Sequence, residues 1–166
     1  MFTSLKDFIA DYSDERQNTL KIFAALTDAS LAQSVAHDHR TIGRMAWHIT
    51  TTYPEMLKLV DLDVTKINAD DPVPASAKAI HDGYEAVSGQ LLELVEKLND
   101  AMLQEERNCY GSMWKIGFTL EVLIRHEVHH RAQMTVLMRQ AGLKVPGVYG
   151  FALEEWATIG RTPPVV

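Results

Sequence analysis

Apolar residues recur at steps of three and four along most of this chain, and that period limits the possible fold more than any other feature. The first such segment covers residues 3–27, the second follows Thr41, the third follows Ser76, and the fourth runs from Ser112 to Gln140. Residues three and four apart share one face of an α-helix, so each segment predicts an amphipathic helix. We find no alternating strand pattern. The sequence therefore predicts an all-α fold, a four-helix bundle.

The ends of the predicted helices carry residues that suit helix termini. Thr41, Ser76 and Ser112 are predicted N-caps, because their hydroxyls can accept hydrogen bonds from the free N–H groups of a first turn. Gly142 follows the fourth helix, where a C-terminal glycine is typical. Pro54 lies inside the second helix and should kink it or loosen its backbone bonding.

The connections suggest one domain over residues 1–166. Residues 61–75 contain two prolines and form a long crossover between the second and third helices. A loop of this length in a compact domain is uncommon, so it suggests a crossover or an active-site lid. Residues 152–159 predict a short amphipathic helix near the C-terminus.

Composition excludes several classes of protein. The formal net charge of −6 and the absence of a Lys/Arg stripe argue against nucleic-acid binding. No run of about 18 apolar residues predicts a membrane span, and the N-terminal residues do not resemble a signal peptide. Cys109 has no second cysteine with which to form an internal disulfide, which suits a reducing compartment. We therefore expect a cytoplasmic protein with no membrane or nucleic-acid partner.

The stretch RHEVHHRAQM places two histidines on the apolar face of the fourth helix. His126 and His130 are four residues apart and lie one above the other, and Glu127 is close to the centre of the same face. Buried imidazoles need polar partners, and one divalent metal ion would satisfy both rings. The alternative is a pair of core histidines bonded to backbone carbonyls or to each other. The spacing favours a pair of metal ligands.

A tightly held metal ion needs a third protein ligand. His48, in RMAWHIT on the second helix, is the best candidate. Glu127 could accept a proton at such a site, or it could bond a polar group in the core. His129 lies at the margin of the face, where it could orient a ligand or remain on the rim of the bundle.

The sequence HEVHH also fits H-E-x-x-H, the pattern of zinc metallopeptidases. The extended form of that motif fails here, because Gln133 and Val136 replace its glycine and third histidine. A downstream ligand, Glu154 or Glu155, keeps a second form open. Such enzymes generally bind the peptide along a sheet, which this sequence does not predict. Peptidase activity is therefore a minor alternative.

Two patches of the chain resemble the DinB/YfiT-like superfamily of small helical proteins. They are WHIT and the run HEVHHRAQM followed by VLMRQAGLKVPGVYG. The superfamily signature is a histidine on the second helix, H-x-x-x-H on the fourth, then R-G-Q and R-x-x-G. The matching positions are His48, His126, His130, Arg131, Gln133, Arg139 and Gly142. Ala132 stands where glycine is usual.

The resemblance implies a divalent metal ion, usually zinc or nickel, held by the three histidines in a pocket between helices. Arg131 and Gln133, with His129, would then lie around the ligands. Relatives are commonly dimers, and Trp47, Trp114 and Trp156 are candidates for a subunit contact. Characterised members include S-transferases and isomerases that use low-molecular-weight thiols.

The function expected from the residues and the resemblance is a metal-dependent enzyme of thiol S-transferase or hydrolase type, acting on a small molecule. Three imidazoles suit zinc and nickel equally, so the metal stays open. The rival is a non-catalytic metal- or small-molecule-binding bundle, for example a stress-response protein.

Overall fold

The computed structural model describes residues 1–165, and four long helices account for most of them. Their bounds are Leu5–Ala24 (α1), Ile42–Lys58 (α2), Ala77–Val95 (α3) and Ile116–Gln140 (α4). Helix α2 packs on α3 and α4, and α1 packs on the same two helices. Each long helix therefore turns one apolar face to a shared core, as the helical period predicts.

A two-stranded antiparallel sheet precedes α4, and it corrects the all-α prediction. Strand β1 (Glu106–Cys109) pairs with β2 (Ser112–Lys115). The two residues between the strands, Tyr110 and Gly111, have φ angles of 53° and 84°. Two consecutive positive φ angles are typical of the tight type I′ hairpin turn. The protein is mostly helical with a small sheet rather than a strict four-helix bundle.

This hairpin also moves the predicted start of the fourth helix. Ser112 does not cap α4, because it pairs with Cys109 in the sheet. The helix begins at Ile116, and its N-cap residue, Lys115, makes no capping bond with its side chain. The strands escaped prediction because each is only four residues long and most of their side chains are exposed or half-buried. Such strands lack the alternation by which a sequence reveals a sheet.

The other helix termini follow the sequence more closely. The hydroxyls of Thr41 and Ser76 accept hydrogen bonds from the third residue of α2 and α3, as predicted. Gly142 follows α4 with a φ of 74°, a conformation that glycine adopts without strain. Helix α2 continues through Pro54 to Lys58 without interruption. Helix α1 ends at Ala24, and a short 3-10 helix follows at Asp28–Ala32.

The long crossover contacts both α2 and α3. Trp47 on α2, which was a candidate for a subunit contact, is only 3% exposed. Its indole N–H donates to the carbonyl of Asp71 at 2.7 Å. The crossover buries this tryptophan, so it is unavailable to a second subunit. Trp114 and Trp156 remain half-buried.

A short 3-10 helix near the C-terminus, Leu153–Ile159, confirms the predicted short helical segment. Among the helices of residues 1–165, none is long and apolar enough to cross a membrane.

The close approach of the N-terminal segment to α4 makes Gly117 sensitive to substitution. A Cβ atom at Gly117 would overlap the carbonyl oxygen of Phe2, whose N–H donates to the carbonyl of Gly117. We expect Gly117→Ala to displace residues 1–4 and lower the free energy of unfolding by about 1–3 kcal/mol. Urea unfolding followed by circular dichroism measures this loss.

Gly89→Ala is the matched control for that substitution. Gly89 lies in α3, and the nearest atom to a methyl group added there would be Arg16 Nη2 at 3.7 Å, an ordinary contact. Alanine should stabilise the helix by about 0.5–1 kcal/mol. Equal losses in the two variants would contradict the argument from close approach.

Candidate metal centre

Three imidazole rings from two helices meet between α2 and α4. One ring nitrogen of each of His48, His126 and His130 lies within 4.8 Å of the other two. The Nε2 atoms of His48 and His126 are 3.1 Å apart. His130 is buried, and the other two rings are half-buried. The structure thus brings together the three side chains that the sequence proposed as ligands.

The fold holds these rings in place by local bonds. On α4 the four-residue spacing stacks His126 and His130, with ring centroids 4.5 Å apart. The Nδ1 atom of His130 is 2.9 Å from the amide oxygen of Gln133. This bond requires Nδ1 to carry the hydrogen, which leaves Nε2 with its lone pair. The amide nitrogen of Gln133 reaches Nε2 of His129 at 3.0 Å. Gln133 and His129 are therefore placed to orient His130, as metal ligands usually require.

The geometry fits a shared ion. Two nitrogens bound to one ion at about 2.0–2.1 Å lie about 2.9–3.4 Å apart, depending on the angle between them. The observed separation of 3.1 Å between His48 and His126 falls in this range. The donor set consists of imidazoles alone, which suits zinc and nickel more than calcium or magnesium.

The local electrostatics keep the three rings neutral, which metal binding needs. Burial lowers the pKa of His48 to about 4, with further lowering from His126, Arg40, His130 and Arg44. Burial also lowers the pKa of His126 to about 4. The pKa of His130 is lowered by burial against the opposing effect of its bond to Gln133. The rings are unprotonated at neutral pH even without an ion.

These depressed pKa values predict a pH-dependent stability of the metal-free protein. Unfolded histidines titrate near 6.5, whereas His48 and His126 titrate at about 4 in the fold. Between these values the unfolded chain binds more protons, so the free energy of unfolding decreases as pH falls from 6.5 toward 4. Above pH 6.5 both rings are neutral in the folded and the unfolded protein, so this loss of stability is absent.

Urea unfolding in EDTA at several pH values between 4 and 7 measures this dependence. The double variant His48→Gln/His126→Gln lacks both groups, so its stability should fall less across the same window. Identical pH profiles for the variant and the wild type would contradict the assignment.

Glu127 is directed away from the histidines and into the core. It is 2% exposed, and its oxygens accept hydrogen bonds from Thr19 Oγ1 at 2.6 Å, Tyr53 OH at 2.6 Å and Tyr84 OH at 2.7 Å. Burial raises the pKa of Glu127, while the three hydroxyl donors and Arg131 oppose that rise. Burial, followed by the charge of Glu127, raises the pKa values of Tyr53 and Tyr84 well above 10, so both phenols keep their protons and donate. This geometry does not support Glu127 as the proton acceptor of the site.

Arg131 also lies on a different side of α4 from the imidazoles. Its guanidinium is buried and forms an ion pair with Glu15. It donates to Thr19 Oγ1 at 2.9 Å and to Tyr149 OH at 2.6 Å. The expectation that Arg131 surrounds the ligands is corrected: it fastens α4 to α1 and to the C-terminal segment. The next signature arginine, Arg139, pairs with Glu154.

Neither downstream glutamate supplies the third ligand of a peptidase site. Glu154 is held by Arg139, and Glu155 accepts hydrogen bonds from the N–H groups of Gly147 and Ala152 at 2.9 Å. The group of possible ligands around His126 and His130 is completed by His48. The two-stranded sheet is the only one in residues 1–165, and Glu127, the general base of that motif, is engaged in the core.

A second group of possible ligands, His81, Asp82 and Glu85, lies on α3. Both carboxylates are exposed, and Asp82 forms an ion pair with Lys78. A cluster already paired with a cation on an exposed helix face is a weaker candidate than three converging imidazoles.

A cavity of about 440 Å³ opens beside the imidazoles. Its walls come from the segment before α2, from α2 and from α4, and they comprise Val35, His39, Arg40, Met45, His130, Gln133, Val136 and Leu137. No residue of the crossover at 61–75 lines it, so the suggested lid is not found there. Arg40 and His39 were not predicted as site residues; both are exposed and line this cavity. Their signal was proximity in sequence to Thr41, which caps the helix that carries His48.

Comparison with known proteins identifies the family of this chain. The sequence model of the DinB family matches residues 1–163. The chain belongs to the DinB family.

Two relatives with 41% identity to this chain come from Bacillus. The uncharacterized protein YrdA of Bacillus subtilis (strain 168) is 41% identical over 165 residues, which cover 99% of each chain. A DinB-like protein from Bacillus cereus ATCC 10987 has a crystal structure that matches with a TM-score of 0.82 at 41% identity, covering 90% of this chain and 100% of that one.

A more distant DinB-like protein, YjoA of Bacillus subtilis, matches with a TM-score of 0.68 at 16% identity, covering 86% of this chain and 96% of the other. At that identity the likeness shows a shared DinB fold alone. Family membership confirms the resemblance first seen in WHIT and HEVHHRAQM.

Proposed function

We propose that this DinB protein is a divalent-metal-dependent enzyme of S-transferase or hydrolase type. The observation that carries the proposal is the convergence of His48, His126 and His130, three neutral imidazoles from two helices, beside an open cavity. Zinc and nickel both fit this donor set. Three protein ligands leave coordination positions for water or substrate, as in catalytic rather than structural sites.

A bound divalent ion would supply Lewis acidity, lowering the pKa of a coordinated thiol or water toward about 7. The residues of the chain supply the positioning. Gln133 holds His130 through Nδ1 and leaves Nε2 with its lone pair. The cavity next to His130 would hold the small-molecule substrate, as sites of its size commonly do.

For an S-transferase the expected reaction joins a thiolate sulfur to an electrophilic carbon. The S–C bond forms, the leaving group departs with its electron pair, and the thiol proton passes to solvent. A hydrolase would use water in place of the thiol. A low-molecular-weight thiol as co-substrate is proposed from the family resemblance, as is a homodimer.

Metal analysis of protein that has never been exposed to chelators tests the site. We expect about one equivalent of zinc or nickel per chain in the wild type and little in His126→Ala. Wild-type protein without stoichiometric metal would overturn the proposal.

Turnover separates an enzyme from a binding protein. Metal-loaded protein is mixed with cysteine and 1-chloro-2,4-dinitrobenzene, and the thioether product is followed by absorbance. A rate above the uncatalysed reaction that is lost in His48→Ala supports the S-transferase. A metal shell with no exchangeable position would favour the rival, a non-catalytic metal-binding protein.

A further inference from the structure

The cavity beside the imidazoles combines apolar walls with one free positive charge. Four of its lining side chains, Val35, Met45, Val136 and Leu137, are apolar. Val35 and Val136 are 60% and 57% exposed, although valine is among the residue types most often buried. Because these two valines come from different segments and border one cavity, a ligand between them would remove both from water.

Arg40 supplies the charge at this cavity. It lies on the cavity wall and is exposed. Within residues 1–165 its guanidinium has no hydrogen bond or ion pair to another side chain, so its five donors are available to a ligand. Its charge also reaches the imidazoles, since it contributes to the lowered pKa values of His48, His126 and His130.

The charge balance around the cavity favours an anion. The three proposed ligands are neutral, so they would not offset the two positive charges of a divalent ion. Arg40 adds a further positive charge and Arg44 lies close enough to affect His48. The carboxylate of Glu127 is not available, because its oxygens are bonded to Thr19, Tyr53 and Tyr84 in the core. An arginine presented beside apolar walls is well suited to a carboxylate that carries an apolar group.

We propose that this cavity binds an organic carboxylate with an apolar body, the carboxylate paired with Arg40 and the body packed between Val35, Val136 and Leu137. The cavity volume of about 440 Å³ accommodates about ten to fifteen non-hydrogen atoms at about 30 Å³ each. The end of the ligand near His130 would be presented to the metal ion. This step and the charge of the divalent ion rest on the proposed function, whereas Arg40 and the apolar walls do not depend on the metal.

Binding of octanoate, measured by isothermal titration calorimetry, tests the proposal with both zinc-loaded and metal-free protein. We expect binding to tighten about three- to fourfold for each methylene from butanoate to octanoate, as apolar burial requires. Octanoate should also bind about tenfold more tightly than 1-octanol, which has a similar body and no charge. Equal affinities for acetate and octanoate, or for octanoate and 1-octanol, would overturn it.

Exposed residues allow variants that should not disturb the fold. Arg40→Gln should weaken octanoate binding about tenfold and leave 1-octanol unchanged, whereas Val136→Asp should weaken both. Arg161→Gln, an exposed arginine that does not line the cavity, is the matched control and should behave as wild type. If Arg40→Gln and Arg161→Gln bind octanoate equally, the assignment of the carboxylate to Arg40 is wrong.

Comparison of the zinc-loaded and the metal-free protein distinguishes a failure of this proposal from a failure of the proposed metal-dependent function. If the protein takes up no zinc but octanoate binding still depends on chain length and Arg40, the function fails and the cavity assignment stands. If zinc is bound but octanoate shows no dependence on Arg40 in the metal-free protein, the cavity assignment fails alone. Binding seen only with zinc would mean that the carboxylate coordinates the ion, which also overturns the pairing with Arg40.

Discussion

Replacing Glu127 by alanine is expected to lower the free energy of unfolding by about 3–5 kcal/mol. The carboxylate accepts hydrogen bonds from Thr19 on α1, Tyr53 on α2 and Tyr84 on α3, so one side chain of α4 connects all four long helices. Alanine would leave these buried hydroxyls without their acceptor and would open a cavity around them. Each unsatisfied buried group costs about 1–3 kcal/mol, and the cavity adds to that.

Chemical unfolding at neutral pH measures this loss of unfolding free energy. Two further variants serve as comparisons. Tyr84→Phe removes one donor and leaves the other two, so it should cost only about 1 kcal/mol. Glu93→Ala replaces an exposed glutamate of α3 and should change stability by less than about 0.5 kcal/mol. A loss below about 1 kcal/mol for Glu127→Ala would contradict the idea that this carboxylate is the polar centre of the core.

The same network should influence the proposed metal site. Tyr53 is on α2 with His48, and Glu127 lies between His126 and His130 on α4. The bond of 2.6 Å between Tyr53 and Glu127 therefore holds the two halves of the site at a fixed separation. Tyr53→Phe should weaken zinc binding about tenfold, comparable with the loss of other groups that orient ligands. Unchanged zinc affinity would limit the network to a role in stability.

Substitution of any one of His48, His126 or His130 by alanine should lower zinc affinity by at least about 100-fold. Even the loss of a group that only orients a ligand lowers metal affinity by about 10–100-fold. The loss of a ligand removes a bond to the ion itself. Competition with a chromophoric chelator measures the affinities at pH 7.

His129→Ala is the matched control for the ligand variants. His129 belongs to the same HEVHH stretch, but its ring is exposed and bonds to Gln133. Its loss should weaken zinc binding about tenfold at most. If His129→Ala weakens binding as much as His48→Ala, the assignment of the three ligands is wrong.

Much of the site was predictable because helical geometry is regular. The four-residue spacing of His126 and His130 alone places their rings on one face. The position of His48 at the flank of the apolar face of α2 made it the best candidate for a third ligand. The hydroxyl caps at Thr41 and Ser76 and the glycine after α4 followed from the same local rules. These features depend on residues within one or two turns of each other.

Other features depended on contacts between distant parts of the chain. Glu127 occupies the same helical stripe as the histidines, and the sequence could not distinguish a metal-site base from a core acceptor. The difference arises from Thr19, Tyr53 and Tyr84, which three other helices bring to its oxygens. Trp47 was likewise a candidate for a subunit contact, and it is the crossover, through Asp71, that buries it.

The sequence by itself determined the helical class, the starts of α2 and α3, the end of α4, the family and which three imidazoles converge. These follow from periodicity and from spacings along a single helix. Only the tertiary structure decided that Glu127 and Arg131 serve the core, that residues 106–115 form a hairpin, and that Arg40 borders a cavity. The physical reason is that burial and hydrogen-bond partners are set by which helices and loops pack together, and a single helix or strand does not contain that information.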